Sequence, residues 1–255
     1  MDISLVSWNI AGGRLNKSSR QFDYTKVYFD YFAKKILHTY ADIVCIQEME
    51  SDKENFSIRK YSDLLKMKNF YFVPSHTSPF DNKNLMGNVI FSRYEMSKRL
   101  DYTLPNPNWD LFWPDGKPVK KFVKKIIACT IKGINIANLH LEPLGLWGFN
   151  YYEEPGLSYA KQIERLMLKI PGLDVFCGDF SGDFRNGNIK EIFDSLFSNN
   201  KFRDSLPNQI TRPLQHKIGG KNDHIFVSNK FSIKESKIIP TNSDHYLCYA
   251  KISTI

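Results

Sequence analysis

Seven side chains of this sequence, Asn9, Glu48, His140, Asp179, Asp223, Asp244 and His245, could do chemistry together. Four carboxylates and an amide are hard oxygen donors suited to Mg²⁺, for which Mn²⁺ can substitute, and such an ion bridges readily to phosphate. Histidines can neutralise charge on phosphoryl oxygens, and an Asp paired with a His fixes its tautomer or activates water. The combination points to metal-assisted chemistry on a phosphate ester. Singly, each residue is ordinary: Asn9 suits a turn, a lone His140 a structural role, and Asp179 a cap after a strand. What marks them is that each falls at or beside the end of an apolar run.

The elements that must position them follow from pattern. The run Leu173 to Phe180, bounded by Pro171-Gly172 and by Ser181-Gly182-Asp183, is predicted as a buried strand that delivers Asp179 to an exposed edge. Ile3 to Trp8 predicts a strand releasing Asn9, with Ala11-Gly12-Gly13 as the turn after it. Ile43 to Ile46 predicts another, with Gln47 and Glu48 emerging at its far end. Gly87 to Arg93 is strand-like and closes on a basic residue. Phe70 to Val73 is a strand before a polar loop from Ser75 to Asn84, and Ile126–Ile131 with Ile134–Leu141 forms a hairpin across Lys132-Gly133 that places His140 near its exit. Asp223 opens the strand to Ser228, and Phe231–Ile238 and Tyr246–Ile252 complete the sheet, with Asn242-Ser243-Asp244-His245 looping between them. Helical spacing predicts helices over Tyr24–Tyr40, weakly over Phe56–Met67, over Leu157–Ile170, and from Gly187-Asn188 through Phe197.

A chain of 255 residues with 42% hydrophobic content can bury one sizeable core and is most economically a single domain. Internal repeats and low-complexity tracts are absent, as are Walker-type glycine loops and any run near the ~20 apolar residues of a membrane span. The opening residues lack the basic flank of a signal peptide, and the dispersed cysteines Cys45, Cys129, Cys177 and Cys248 read as reduced core residues, so an intracellular, cytoplasmic or nuclear protein without stable membrane insertion is expected. The scarcity of cysteine relative to carboxylate also argues against a zinc finger. A net charge of +8 favours phosphate-rich partners.

The ordered pieces Ser7-Trp8-Asn9-Ile10, Ile46-Gln47-Glu48, Gly87 to Arg93, Asn138-Leu139-His140-Leu141, Gly178-Asp179-Phe180, Asp223 to Phe226 and Ser243-Asp244-His245 together resemble the endonuclease/exonuclease/phosphatase superfamily over nearly the whole chain. The resemblance implies an α/β fold, a four-layer α/β sandwich of two packed mixed β-sheets flanked by helices. It implies that Glu48 binds the metal directly with Asn9 beside it, and that Asp244 completes or backs the metal site. His140 and His245 would contact the scissile phosphate, Asp223 would orient His245, and Asp179 would position or deprotonate water; whether Asp179 or the Asp223–His245 pair is the base stays open. Ser181 stands where the family usually has Asn, and it would meet the phosphate or water with a shorter donor. Arg93 and Lys221 are lesser substrate-binding candidates.

Two segments look like substrate-side decoration. Trp109, Phe112 and Trp113 precede the lysines 117, 120, 121, 124 and 125, and the loop after His140 carries Trp147, Phe149, Tyr151 and Tyr152. Lid packing and a solvated charge run explain them slightly better, yet aromatic planes beside cations also suit stacking on unpaired bases. The expected activity is a Mg²⁺-dependent phosphodiesterase acting on nucleic acid, a nuclease or an end-processing enzyme. The alternatives are a phosphatase or phospholipase C-type hydrolase of a metabolite or lipid headgroup, and a catalytically silent nucleic-acid binding protein. Oligomeric state has no signature in the sequence.

Overall fold

The computed structural model describes all residues except 19–20, 24, 108, 113–115, 117, 119–121, 185–188, 207 and 214–218. In chain order its elements begin with β1 (Asp2–Asn9), β2 (Asn16–Ser18), β3 (Gln21–Phe22), α1 (Phe29–Leu37), β4 (Ile43–Ser51), α2 (Phe56–Leu65) and β5 (Asn69–Thr77). There follow β6 (Leu85–Ser92), β7 (Met96–Thr103), β8 (Lys125–Ile131), β9 (Ile134–His140), α3 (Gly156–Met167) and β10 (Val175–Asp179). The chain closes with α4 (Ile189–Ile192), α5 (Asp194–Phe197), β11 (Phe202–Asp204), β12 (Asp223–Ser228), β13 (Phe231–Ile239) and β14 (Leu247–Thr254).

Alternation along the strands sets the layers. Ile3, Leu5, Ile43 and Cys45 join Ile127, Ile136, Val175 and Cys177 in a core between two sheets, while Val6, Trp8, Val44 and Ile46 face the other way onto Phe32 and Ile36 of α1 and Ile58 and Tyr61 of α2. The period of two sends successive residues to opposite faces, so a strand covered on both sides is apolar throughout. On the far side, Ala137, Leu139, Phe176 and Phe226 pack under α3, α4 and α5. The result is a four-layer α/β sandwich of two mixed six-stranded sheets, ordered β13-β14-β1-β4-β6-β5 and β11-β12-β10-β9-β8-β7. Each sheet has one parallel pair near its centre, β1 with β4 and β9 with β10.

Several expected boundaries move for physical reasons. Tyr24 lies outside the described residues, and α1 begins at Phe29, after Tyr28. β5 runs on to Thr77 through Pro74, which an edge strand tolerates because its missing N–H can face outward. Gly187 and Asn188 lie outside the described residues, and the helix expected through Phe197 is two single turns broken at Phe193. Lys132 and Gly133 both have positive φ, as the predicted hairpin turn requires. Among the described residues no helix is long and apolar enough to cross a membrane.

Candidate functional site

Strand register, more than any loop, brings the candidate residues together. Asp179 at the end of β10 lies opposite His140 of parallel β9 on one side and Asp223 of antiparallel β12 on the other. Asn9 at the end of β1 lies opposite Gln47 of β4, one residue before Glu48. Close strand approach is needed here, and Gly178 permits it: a Cβ at its φ of 144° would sit 1.9 Å from the Leu139 carbonyl oxygen. Asp244 and His245 arrive on the segment before β14, where the Trp8 indole donates to the His245 carbonyl at 3.0 Å.

Asp179 is the hub. Its Oδ2 accepts from Asn9 Nδ2 at 3.0 Å and lies 3.5 Å from both His140 Nε2 and His245 Nε2, while Oδ1 accepts from the Ser181 N–H at 2.6 Å. His245 Nδ1 donates to Asp223 Oδ2 at 2.8 Å, so Asp223, His245 and Asp179 form a buried chain. Burial alone would raise the Asp179 pKa, but the neighbouring His245 and His140, with the hydrogen bonds from Asn9 and Ser181, hold it well below the usual carboxylate range. His245 would be neutralised by burial, yet Asp223, Asp179 and Asp244 push its pKa up to about 10, which keeps it an imidazolium. His140 goes the other way. Burial first, and then the nearby Lys124 charge, hold it well below its ordinary value and therefore neutral.

Glu48 does not sit at a strand end as the sequence implied. β4 continues to Ser51, and the register shift between Ile46 and Met49 is a bulge in which Glu48 adopts φ 55°. A left-handed glutamate costs about 1 kcal/mol or more, and bulges re-aim side chains beside functional sites. The carboxylate is turned toward His140, its Oε1 lying 3.8 Å from Nε2. Burial raises the Glu48 pKa first, and Asp244 and Asp179 raise it further, because three carboxylates converge with too few cations. Such crowded hard oxygens fit a divalent cation. Asn9 Oδ1 accepts the Ala11 N–H at 3.0 Å and keeps a second lone pair for such an ion. The ligand atoms of Asp179, Asp223 and His245 also lie within 4.8 Å of one another. That trio suits a metal less well, since a protonated imidazole has no lone pair to give.

With this geometry in hand, comparison with known proteins is decisive at the level of family. A model of the Endonuclease/Exonuclease/phosphatase family matches residues 6–245. The chain belongs to that family. Members of the endonuclease/exonuclease/phosphatase family are metal-dependent phosphoesterases. Similar solved structures include an endonuclease/exonuclease/phosphatase of Beutenbergia cavernae DSM 12333, 16% identical, covering 99% of this chain and 72% of that one at a TM-score of 0.71. A mannosyl-6-phosphatase of Bacteroides thetaiotaomicron VPI-5482 is 15% identical over 98% of this chain and 99% of its own, with a TM-score of 0.61. A Neisseria 3′ phosphatase bound to product DNA hairpin is 17% identical over 97% and 98%, with a TM-score of 0.56. At these identities the likeness establishes the fold alone. No curated protein matches the sequence.

Of the three substrate-side candidates, Ser181 lies beside Asp179 and lines the adjoining cleft, while Arg93 and Lys221 are engaged elsewhere. Ser181 is beside Asp179, but its hydroxyl donates to the Leu141 carbonyl at 3.0 Å and is used within the protein. Arg93 is at the wrong end: β6 runs antiparallel to β4, so Gly87 lies beside Met49 near Glu48 whereas Ser92 lies beside Ile43. That separates Arg93 from Glu48 by roughly 16 Å at about 3.3 Å per residue, and its Nε donates to the Ala41 carbonyl. Lys221 is buried, with Nζ 2.5 Å from Asp204 Oδ2, in a cluster where His224 Nδ1 meets the same oxygen at 2.8 Å.

The lysine run also divides. Lys117, Lys120 and Lys121 lie outside the described residues, as does Trp113. Lys125 pairs with Asp101 at the surface. Lys124 is instead a buried member of the site: Nζ donates to the Leu141 carbonyl at 2.7 Å, and the residue lines a small recess with Glu48, His76 and His140. Nothing in the local pattern distinguishes it from Lys125. Asn138 was visible only as part of a motif, yet its amide crosses between the sheets, donating to the Ile46 and Val89 carbonyls at 2.9 and 3.0 Å and accepting from Gln47 Nε2 at 2.7 Å. Of the aromatics, Trp109 packs on Phe149 and Tyr159 as lid filling.

Proposed function

We propose that this protein is a Mg²⁺-dependent phosphodiesterase that hydrolyses phosphate esters of nucleic acid, as a nuclease or an end-processing enzyme. The observation that carries the proposal is the position of Asp179 Oδ2, 3.5 Å from the Nε2 atoms of both His140 and His245. In this mechanism the phosphate lies against His140 and His245. The His245 imidazolium donates to a non-bridging oxygen and stabilises the charge that develops there, with Asp223 fixing its orientation. Neutral His140 contributes a ring N–H to the phosphate. Ionised Asp179, steadied by Asn9, accepts a hydrogen bond from the attacking water and aligns it with the phosphorus. Glu48 and Asp244, with Asn9, would hold the divalent cation, which when bound polarises the phosphoryl group.

The nucleic-acid substrate is supported by the net charge of +8 and by a similar fold that holds DNA in the Neisseria phosphatase. The test is a panel of single-strand, duplex, 5′-adduct, hexose phosphate, inositol phosphate and sphingomyelin substrates with Mg²⁺, repeated in EDTA. EDTA-sensitive cleavage of nucleic acid is expected. Turnover confined to the sugar or lipid substrates would replace the proposal with a phosphatase, and oligonucleotide binding without any turnover would replace it with a silent binding protein.

A further inference from the structure

A cleft of about 460 Å³ opens directly beside Asp179, between the segment that follows β9, the turn at Ser181 and the residues that lead into β12. It belongs to neither the carboxylate cluster nor the histidines. Ser181 forms its inner edge, and because the Ser181 N–H is bound to Asp179 Oδ1, the cleft begins where a phosphate lying against the histidines would end. The cleft is therefore open to one ester arm of that phosphate.

Size and lining choose the arm. The volume lies in the lower half of the roughly 300–1,000 Å³ typical of small-molecule sites, more than one sugar ring fills and less than an oligomer needs. The walls are flat rings, Phe149 and Tyr152, with Leu146 and Tyr152 exposed at 47% and 40% in the mouth. Tyr152 is braced: its hydroxyl donates to the Asp183 carbonyl and its ring meets Phe184 edge-on at 6.1 Å. Arg212 is the one cation among the described lining residues, and the Asp183 carboxylate stands in the same wall. Among the described lining residues an uncharged flat group with polar edges is matched by ring faces, a single guanidinium and amides.

Resting on the phosphodiesterase function proposed above, we infer that this cleft is a subsite for a single nucleoside, its base stacked on Tyr152, attached to the scissile phosphate. The test compares kcat/KM for the p-nitrophenyl esters of thymidine 3′- and 5′-phosphate with that for methyl p-nitrophenyl phosphate, in the wild type, Tyr152→Ala and Tyr152→Phe. At least one nucleoside ester is expected to be preferred about tenfold or more over the methyl ester. Tyr152→Ala should cut that preference about tenfold, the size of one lost base–aromatic stack, and Tyr152→Phe should retain it because the ring remains. A preference near one in the wild type, or one untouched by Tyr152→Ala, overturns the subsite; if oligonucleotides are still cleaved, the phosphodiesterase function survives. Turnover of a hexose 6-phosphate but of no nucleotide ester, itself sensitive to Tyr152→Ala, overturns both.

Discussion

Charge placement at single residues carries the sharpest expectations. Glu48→Gln removes one of three converging carboxylates with little change in volume, so it should cut turnover by about a hundredfold or more while leaving the metal-free protein as stable or more so, its like-charge crowding relieved. Steady-state rates at saturating Mg²⁺ beside thermal melts in EDTA check both halves; wild-type turnover would end the metal assignment. Lys124 holds a positive charge between Glu48 and His140, and Lys124→Met should lower kcat/KM about tenfold, whereas Lys125→Met, which loses only a surface pair with Asp101, should change it less than about twofold. Equal effects of the two substitutions would return Lys124 to the solvated run. Ser181 has φ 53°, a conformation that Asn adopts more readily than Ser. Ser181→Asn, which restores the family's usual residue, should therefore preserve or raise both melting temperature and turnover, and a loss of turnover at unchanged stability would show a pocket rebuilt around serine.

Among elements, the end of β11 and the start of β12 depend on one buried cluster. Burial opposes ionisation of Asp204, but the adjacent His224 and Lys221 outweigh it and lower its pKa below the ordinary 3.8. A depressed carboxyl contributes stability that is present above the ordinary value and is lost as pH falls through the lowered one. Asp204→Asn strands a buried ammonium and should cost about 3–5 kcal/mol at pH 7. The variant should then lose less than the wild type on going from pH 4 downward. Urea midpoints from pH 7 to pH 3 measure this, and parallel decline of the two proteins would refute it. β11 itself escaped sequence analysis because three residues carry no usable period. β7 escaped for another reason. It is an edge strand exposed along most of its length, with Lys98 and Arg99 on its surface, so it lacks the alternation that burial imposes.

For the whole molecule, the two sheets must keep a fixed offset or Glu48 and His245 on the first would not meet His140 and Asp179 on the second. Glu48 and Asn9 come from the first sheet, His140, Asp179 and Asp223 from the second. Between them the core is mostly aliphatic and sulfur-bearing, which resists separation but fixes no register. The Asn138 amide does: it joins two carbonyls and Gln47 of the opposite sheet immediately below Glu48. Asn138→Leu keeps the volume but leaves those buried partners unpaired, and should cost about 3 kcal/mol or more, with a loss of activity that exceeds the loss of folded protein. A denaturant midpoint shift worth under about 1 kcal/mol would deny the amide this role.

The sequence by itself marked the strands buried on both faces, the hairpin turn and most of the carboxylates and histidines that the fold brings together, because a strand covered on both faces must be apolar and a carboxylate beside its end stands out. Gly178-Asp179, the hairpin turn at Lys132-Gly133 and the Asp223 and His245 positions were legible for that reason. Only the tertiary structure decided direction and partner. The antiparallel course of β6 carries Arg93 away from the site, the bulge in β4 turns Glu48 into it, and Lys221, Lys124 and Asn138 take partners 17 to 92 residues distant. No local pattern encodes such pairings. They are chosen when two sheets close on one core and every buried charge and amide must find a counterpart.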